Sequence, residues 1–309
     1  MSTEEHTTVK TKHKRDVCGT IKIWLSAFRL RTLPLAAASI ALGSFLAAAE
    51  NAFRWQIAVL CLATAILLQI LSNLANDYGD TVHGADSGNR AGPTRATQSG
   101  LISSTAMRKA VLLFVVLCLI IGFPLVRGQS VVFYIAGLAA IAAAVGYTVG
   151  PKPYAYVGLG DLFVFLFFGI VGVFGSYYLH THHFDLHILL PAASCGFFCV
   201  AVLNINNLRD IESDKVAGKN TIPVRLGERQ ARVYHVGLLL LGFATALWFS
   251  LLNWQSVYQF LYFITLPLLL INGLRVFSKS DGRNLDPDLK QMSLTTLLFS
   301  LTFGIGALL

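Results

Sequence analysis

Apolar residues run along this chain in long blocks, with neither the strict alternation of half-buried strands nor the one-sided stripe of surface helices. Nine blocks, at residues 33–49, 56–76, 106–126, 131–149, 159–179, 187–207, 234–253, 256–277 and 290–309, approach membrane-spanning length. A helix needs about 20 mostly apolar residues to cross the hydrocarbon layer. Gly, Pro or charged residues mark the short breaks between most blocks, and only 77–105 and 208–233 are long and polar. The pattern predicts an all-α polytopic membrane protein of nine transmembrane helices. Composition agrees: 55% of the 309 residues are hydrophobic and 13% charged, about half the charge of a soluble domain.

Residues 1–31 are polar and basic, with Lys10, Lys12, Lys14, Arg15 and Lys22, and lack the apolar core and cleavage site of a signal peptide. They read as a cytoplasmic tail with an amphipathic lead-in helix from Ile21 to Leu30, ahead of a single transmembrane domain over 32–309. Nine spans put the termini on opposite sides. With the N-terminus inside, all of the 24 Lys and Arg residues except Arg54 and Arg127 fall inside, the bias that sets orientation. The net charge of +8 is therefore a topology signal. No nucleic-acid module accompanies it, so nucleic acid is not an expected partner.

The inner loops also hold most of the acids. The second block ends in Asn73-Leu74-Ala75-Asn76-Asp77-Tyr78-Gly79-Asp80 and the sixth in Asn206-Asn207-Leu208-Arg209-Asp210-Ile211-Glu212-Ser213-Asp214. In each, an Asn precedes an Asp by four residues, which stacks them on one helix face; Asp80 and Asp214 continue those faces. The likeness reads as a weak internal repeat of two helical halves. Solvated loop acids or helix caps are the ordinary explanation for one such cluster. Two matched clusters at inner helix ends suit a hard divalent cation, since magnesium takes one or two carboxylates and completes its shell with substrate phosphates. The predicted metal set is Asn73, Asp77, Asp80, Asn206, Asp210 and Asp214, around two Mg2+ ions and a diphosphate. Arg90, Arg95, Lys152, Arg209, Lys219 and Arg225 surround the clusters in sequence and are candidates to clamp phosphate oxygens.

A third inner feature is Gly146-Tyr147-Thr148-Val149-Gly150-Pro151-Lys152-Pro153-Tyr154, followed by Gly158-Leu159-Gly160-Asp161 at the start of a Phe-rich block. Asp161 is an ionisable group at a span start, a functional candidate that could equally cap its helix. Cys61, Cys118, Cys195 and Cys199 lie in blocks and, like Cys18, show no ligand spacing, so they read as packing residues. His180, His182, His183 and His187 crowd an outer loop on the side away from the carboxylates and read as exposed.

Together these residues resemble the UbiA-type superfamily of intramembrane aromatic prenyltransferases, from about Leu30 to the C-terminus. Arg31-Thr32-Leu33-Pro34-Leu35, the run Leu71–Asp80, Gly158-Leu159-Gly160-Asp161 and the run Leu203–Asp210 are most similar to the bacterial branch that prenylates 1,4-dihydroxy-2-naphthoate. The first motif departs from the usual four-residue spacing of its acids: Asp80 comes three after Asp77 and Asp86 nine after, with Asp80 ranked first. The resemblance implies a bacterial inner-membrane enzyme that moves a polyprenyl group from an all-trans polyprenyl diphosphate to 1,4-dihydroxy-2-naphthoate with loss of carbon dioxide. It implies catalytic work for Asp77, Asp80, Asp210 and Asp214 and acceptor or proton handling by Tyr147 and Asp161. Another acceptor, such as 4-hydroxybenzoate or homogentisate, and a secondary transporter are the alternatives. A cation-coupled carrier would place its acids nearer mid-membrane than these.

Overall fold

The computed structural model describes residues 17–82, 95–151, 153–279 and 284–309. Regular structure among them is entirely helical. The lead-in helix α1 (Val17–Ala27) precedes α2 (Leu33–Ala49), α3 (Trp55–Val82), α4 (Ser104–Val126) and α5 (Val131–Gly146). Next come α6 (Gly160–Thr181) and α7 (Leu186–Arg209), then two short helices, α8 (Ile211–Val216) and α9 (Ile222–Leu226). The chain ends with α10 (Glu228–Leu252), α11 (Val257–Ser278) and α12 (Asp286–Leu308).

Eight helices among the described residues are long and apolar enough to span a membrane, and α5 is apolar but shorter. All nine apolar blocks are therefore helices, with ends that differ from the hydropathy boundaries. Hydropathy marks only the part in hydrocarbon, whereas the i to i−4 hydrogen-bond ladder continues through polar residues. So α3 runs through Asp77 and Asp80 to Val82, α10 starts at Glu228 just past Gly227, and α12 starts at Asp286 with Pro in its first turn. The breaker run after Gly146 ends α5 early.

One core cluster joins α2, α6, α7, α10, α11 and α12 through Leu42, Tyr177, Phe198, Tyr262, Phe299 and Phe303, among others. A second joins α1, α3, α4 and α5. Helix α12 packs along α2 and so closes the bundle, while α7 is its most deeply buried member. Lipid-side leucines and valines on α4, α5, α10 and α11 stay exposed, as expected where hydrocarbon is the solvent.

His180, expected in an exposed loop, is 2% exposed. Its Nε2 lies 3.1 Å from Ser44 Oγ, its Nδ1 accepts from the Arg54 backbone N–H at 3.1 Å, and Arg54 donates to the His180 carbonyl. Helix α6 continues to Thr181 and carries this ring inward, where a buried polar group must find partners. His182 and His183 remain exposed. The cysteines fit the packing expectation: Cys61, Cys118, Cys195 and Cys199 are buried and free.

Gly79 sets how the 147–159 loop meets α3. A Cβ there would fall 2.5 Å from the Thr148 carbonyl oxygen, while Thr148 Oγ1 donates to the Ala75 carbonyl at 3.0 Å. Gly79→Ala is expected to lower the thermal stability by roughly 1–3 kcal/mol, the cost of forcing extra volume into a packed contact. Thermal unfolding in detergent checks this, and an unchanged melting temperature would contradict the contact.

Candidate active site

The end of α3, the 147–159 loop, the α7–α9 segment, the turn before α2 and the start of α12 all meet at one end of the bundle. Asp80 is the centre of the first cluster and is 0% exposed. Its carboxylate pairs with Arg95, accepts from Lys219 Nζ at 2.7 Å and accepts from the Tyr156 hydroxyl at 3.1 Å. Lys219 also sits 5.2 Å from the centre of the Tyr156 ring. Burial, with the Asp80 charge second, pushes the Tyr156 hydroxyl up, so it stays a donor at neutral pH. Lys219 and Arg95 thus come together from loops far apart in sequence, on an acid the sequence assigned to metal.

Asp77, one turn earlier, differs. It is 3% exposed, and its Oδ1 is buried with no hydrogen-bond partner, as is the Oδ1 of Asn76. The charges of Arg29 and Arg95 lie nearby. An ionised carboxylate with an open buried oxygen is costly unless something else binds it. An open, buried carboxylate oxygen fits a hard cation that completes its shell elsewhere. Asn73, the predicted ligand, is anchored through its amide nitrogen. Its Nδ2 donates to the Phe28 carbonyl at 2.9 Å and to Thr32 Oγ1 at 3.1 Å, and its Oδ1 faces Gln69. The stacking rule picked Asn73 because it shares the face of Asp77. The turn before α2 anchors the Asn73 nitrogen and leaves its Oδ1 3.5 Å from Gln69 Nε2, while the Asn76 Oδ1 is buried without a partner.

The second cluster straddles a helix end. Asp210 terminates α7 and precedes α8, whose Asp214 N–H donates to the Asp210 carbonyl at 2.8 Å. That bond bridges the break at Asp210, and both acids are buried. Asp210 is held by Arg209, with Nε to Oδ1 at 2.9 Å and Nη2 to Oδ2 at 2.7 Å. The same guanidinium donates to Asn206 Oδ1 at 3.0 Å and to Asp286. Arg209, a predicted phosphate clamp, has its donors committed to these groups.

Arg225 is committed too, as a staple between two loops. It donates to the Val157 carbonyl at 2.6 Å and to the Asn220 carbonyl at 3.0 Å. Gly158, at φ 73°, lets it through: a Cβ there would be 2.7 Å from the Arg225 guanidinium carbon. The staple fixes Tyr156 and Lys219 relative to each other. Arg90, Lys152 and Asp86 lie outside the described residues.

The two clusters meet at Lys219, whose backbone N–H donates to the Asp214 carbonyl at 2.8 Å and whose Nζ donates to Asp80 at 2.7 Å. Burial, then Tyr154 and the charges of Asp214, Asp80 and Asp161, push the Tyr147 hydroxyl up. Its ring meets Tyr154 at 5.3 Å, and Tyr154 stacks on Phe163 at 4.1 Å. Asp161 accepts from the Tyr234 hydroxyl at 2.9 Å. Tyr234, brought in by α10, had no sequence signal to mark it.

Among the described residues no three His, Cys, Asp or Glu side chains converge to make a complete metal site.

The model of the UbiA prenyltransferase family matches residues 36–303. A 1,4-dihydroxy-2-naphthoate octaprenyltransferase of Haemophilus influenzae is 44% identical over 306 residues, covering 96% of this chain and 99% of that one. The protein of the same name from Escherichia coli is 44% identical over 292 residues, covering 93% and 95%. Among solved structures, a UbiA homolog from Archaeoglobus fulgidus bound to GPP and Mg2+ superimposes with a TM-score of 0.65 at 18% identity, covering 94% of this chain and 99% of that one. The fold, the paired acidic helix ends and these matches along nearly the whole length lead to one conclusion: the chain belongs to the UbiA prenyltransferase family.

Proposed function

We propose that this chain is a magnesium-dependent 1,4-dihydroxy-2-naphthoate polyprenyltransferase. It transfers the prenyl group of an all-trans polyprenyl diphosphate to the naphthoate ring, which loses its carboxylate as carbon dioxide, for demethylmenaquinone formation. The observation that carries the chemistry is the convergence of two buried acidic clusters, with Arg95 and Lys219, at one end of an otherwise apolar bundle. The high identity to the naphthoate enzymes carries the acceptor.

Asp77, with Asn73, on one helix, and Asp210, Asp214 and Asn206 on the other, would hold two magnesium ions against the diphosphate. Bound magnesium would supply electrostatic stabilisation of the leaving diphosphate. Arg95 and Lys219 neutralise the same charge as the prenyl C–O bond breaks and the diphosphate departs with the electron pair. Asp80 keeps these two cations in place and paired within the protein. Arg90 and Lys152 are further clamp candidates from the sequence. Tyr147 and Asp161 orient the acceptor, with Tyr234 holding the Asp161 carboxylate. The new C–C bond forms at the electron-rich ring, and the apolar bundle keeps water from the allylic cation. The basic loops at this end support a cytoplasmic position for it and for the N-terminus.

Purified protein incubated with a polyprenyl diphosphate, Mg2+ and either dihydroxynaphthoate or 4-hydroxybenzoate tests the assignment. Prenylated naphthoquinol with released carbon dioxide is expected. Product from hydroxybenzoate alone would refute the acceptor.

A further inference from the structure

Asp286 has an ordinary sequence explanation. It opens α12 in the run Leu285-Asp286-Pro287-Asp288, and acids in a first helical turn complement the helix dipole. The structure gives it two arginine partners from distant parts of the chain. Its Oδ1 accepts from Arg31 Nη1 at 2.8 Å and from Arg209 Nη1 at 2.5 Å. Arg209 is 1% exposed at its side chain, and its other donors grip Asp210 and Asn206.

Arg209 and Asp210 are sequence neighbours, which do not face each other along a regular helix. Their bidentate pairing exists because α7 ends there and an acceptor outside the helix anchors the guanidinium's far side. The charges balance as two arginines against two carboxylates. If a metal ion takes oxygens of Asp210, Arg209 loses part of its pairing while buried, which is costly for a charge. Asp286 supplies the partner that remains. Without it, Arg209 would have Asp210 as its sole carboxylate and would compete with the metal for those oxygens.

We propose that Asp286 is a positioning residue for the second acidic cluster: through Arg209, and steadied by Arg31, it orients Asp210 and frees it for the magnesium-diphosphate site. This rests on the reading above that Asp210 belongs to that site. Arg31 also belongs to the turn whose Phe28 carbonyl and Thr32 hydroxyl hold Asn73. The arrangement therefore links the two acidic helices through one short turn.

The test uses the full chain in lipid nanodiscs. The melting temperature is followed as Mg2+ is titrated in the presence of inorganic pyrophosphate, and the Mg2+ concentration for half-maximal prenyl transfer is measured alongside. Asp286→Ala is expected to raise both Mg2+ midpoints about 10-fold, the lower end of what loss of a residue behind a metal ligand does, and Asp286→Glu to restore them. A merely structural role would lower the melting temperature without moving the midpoints. Asp286→Asn, which keeps the side-chain shape, carries the same expectation if the alanine variant does not fold. Unchanged midpoints in Asp286→Asn, with a raised midpoint in Asp210→Asn, would overturn the proposal and leave the site reading standing. Unchanged midpoints in Asp210→Asn would overturn the site reading itself.

Discussion

Asp77→Asn is expected to lose prenyl transfer by about 100-fold or more, as removal of one preorganised electrostatic element does, while the protein melts no lower than the parent. The two halves of that result have separate causes. Asp77 is buried and its Oδ1 has no partner within the protein. A buried charge of this kind is a burden on the fold, and neutralising it without a change of shape removes that burden. Arg29, Arg95 and Thr97 act on the carboxylate but leave that Oδ1 open, a place the diphosphate-bound metal would fill. Activity assays on the purified variant, with a thermal melt on the same sample, read both halves. Full activity would remove Asp77 from the site, and a clear fall in melting temperature would mean that its role is structural.

Asp80→Ala is expected to give a different pair of outcomes. This acid has Arg95, Lys219 and Tyr156 as partners, and the side chains of both cations are under 10% exposed. Its removal leaves two buried cations without the carboxylate that pairs them. Breaking a buried pair from one side costs roughly 3–5 kcal/mol, so the melting temperature should fall sharply and activity with it. Added pyrophosphate should recover part of the lost stability, because its oxygens can take the place of the missing carboxylate between the same cations. Stability equal to the parent would show that Arg95 and Lys219 do not depend on Asp80. Loss of activity alone cannot separate Asp77 from Asp80; the melting temperatures can.

The acidic motifs were legible because their residue types and helical spacing imply facing oxygens before any tertiary contact is known. The roles within them were not. The four-residue spacing picked Asn73, and only the fold shows that the Phe28–Thr32 turn holds its amide nitrogen. Arg209 and Arg225 looked like phosphate clamps because basic residues near acidic motifs usually have that option. Their carbonyl and carboxylate partners come from α12 and from the 157–158 turn, which sequence spacing cannot bring near. His180 was misread for the same reason: the pattern showed four histidines in a polar run, and only the inward turn at the end of α6 separates it from the others.

What the sequence by itself determined was therefore the part governed by local and solvent physics. Long apolar blocks become helices in lipid because each helix satisfies its own backbone hydrogen bonds there, and this produced the eight spanning-length helices and the shorter α5 among the described residues. The spacing of Asn and Asp placed two sets of oxygens at helix ends. The tertiary structure decided which charges meet. Asp80 with Lys219, and Arg209 with Asp286, are pairs made by helices returning to the same end of the bundle. Ion pairing depends on distances of a few ångströms between residues far apart in the chain, and those distances are set by the packing of the whole bundle.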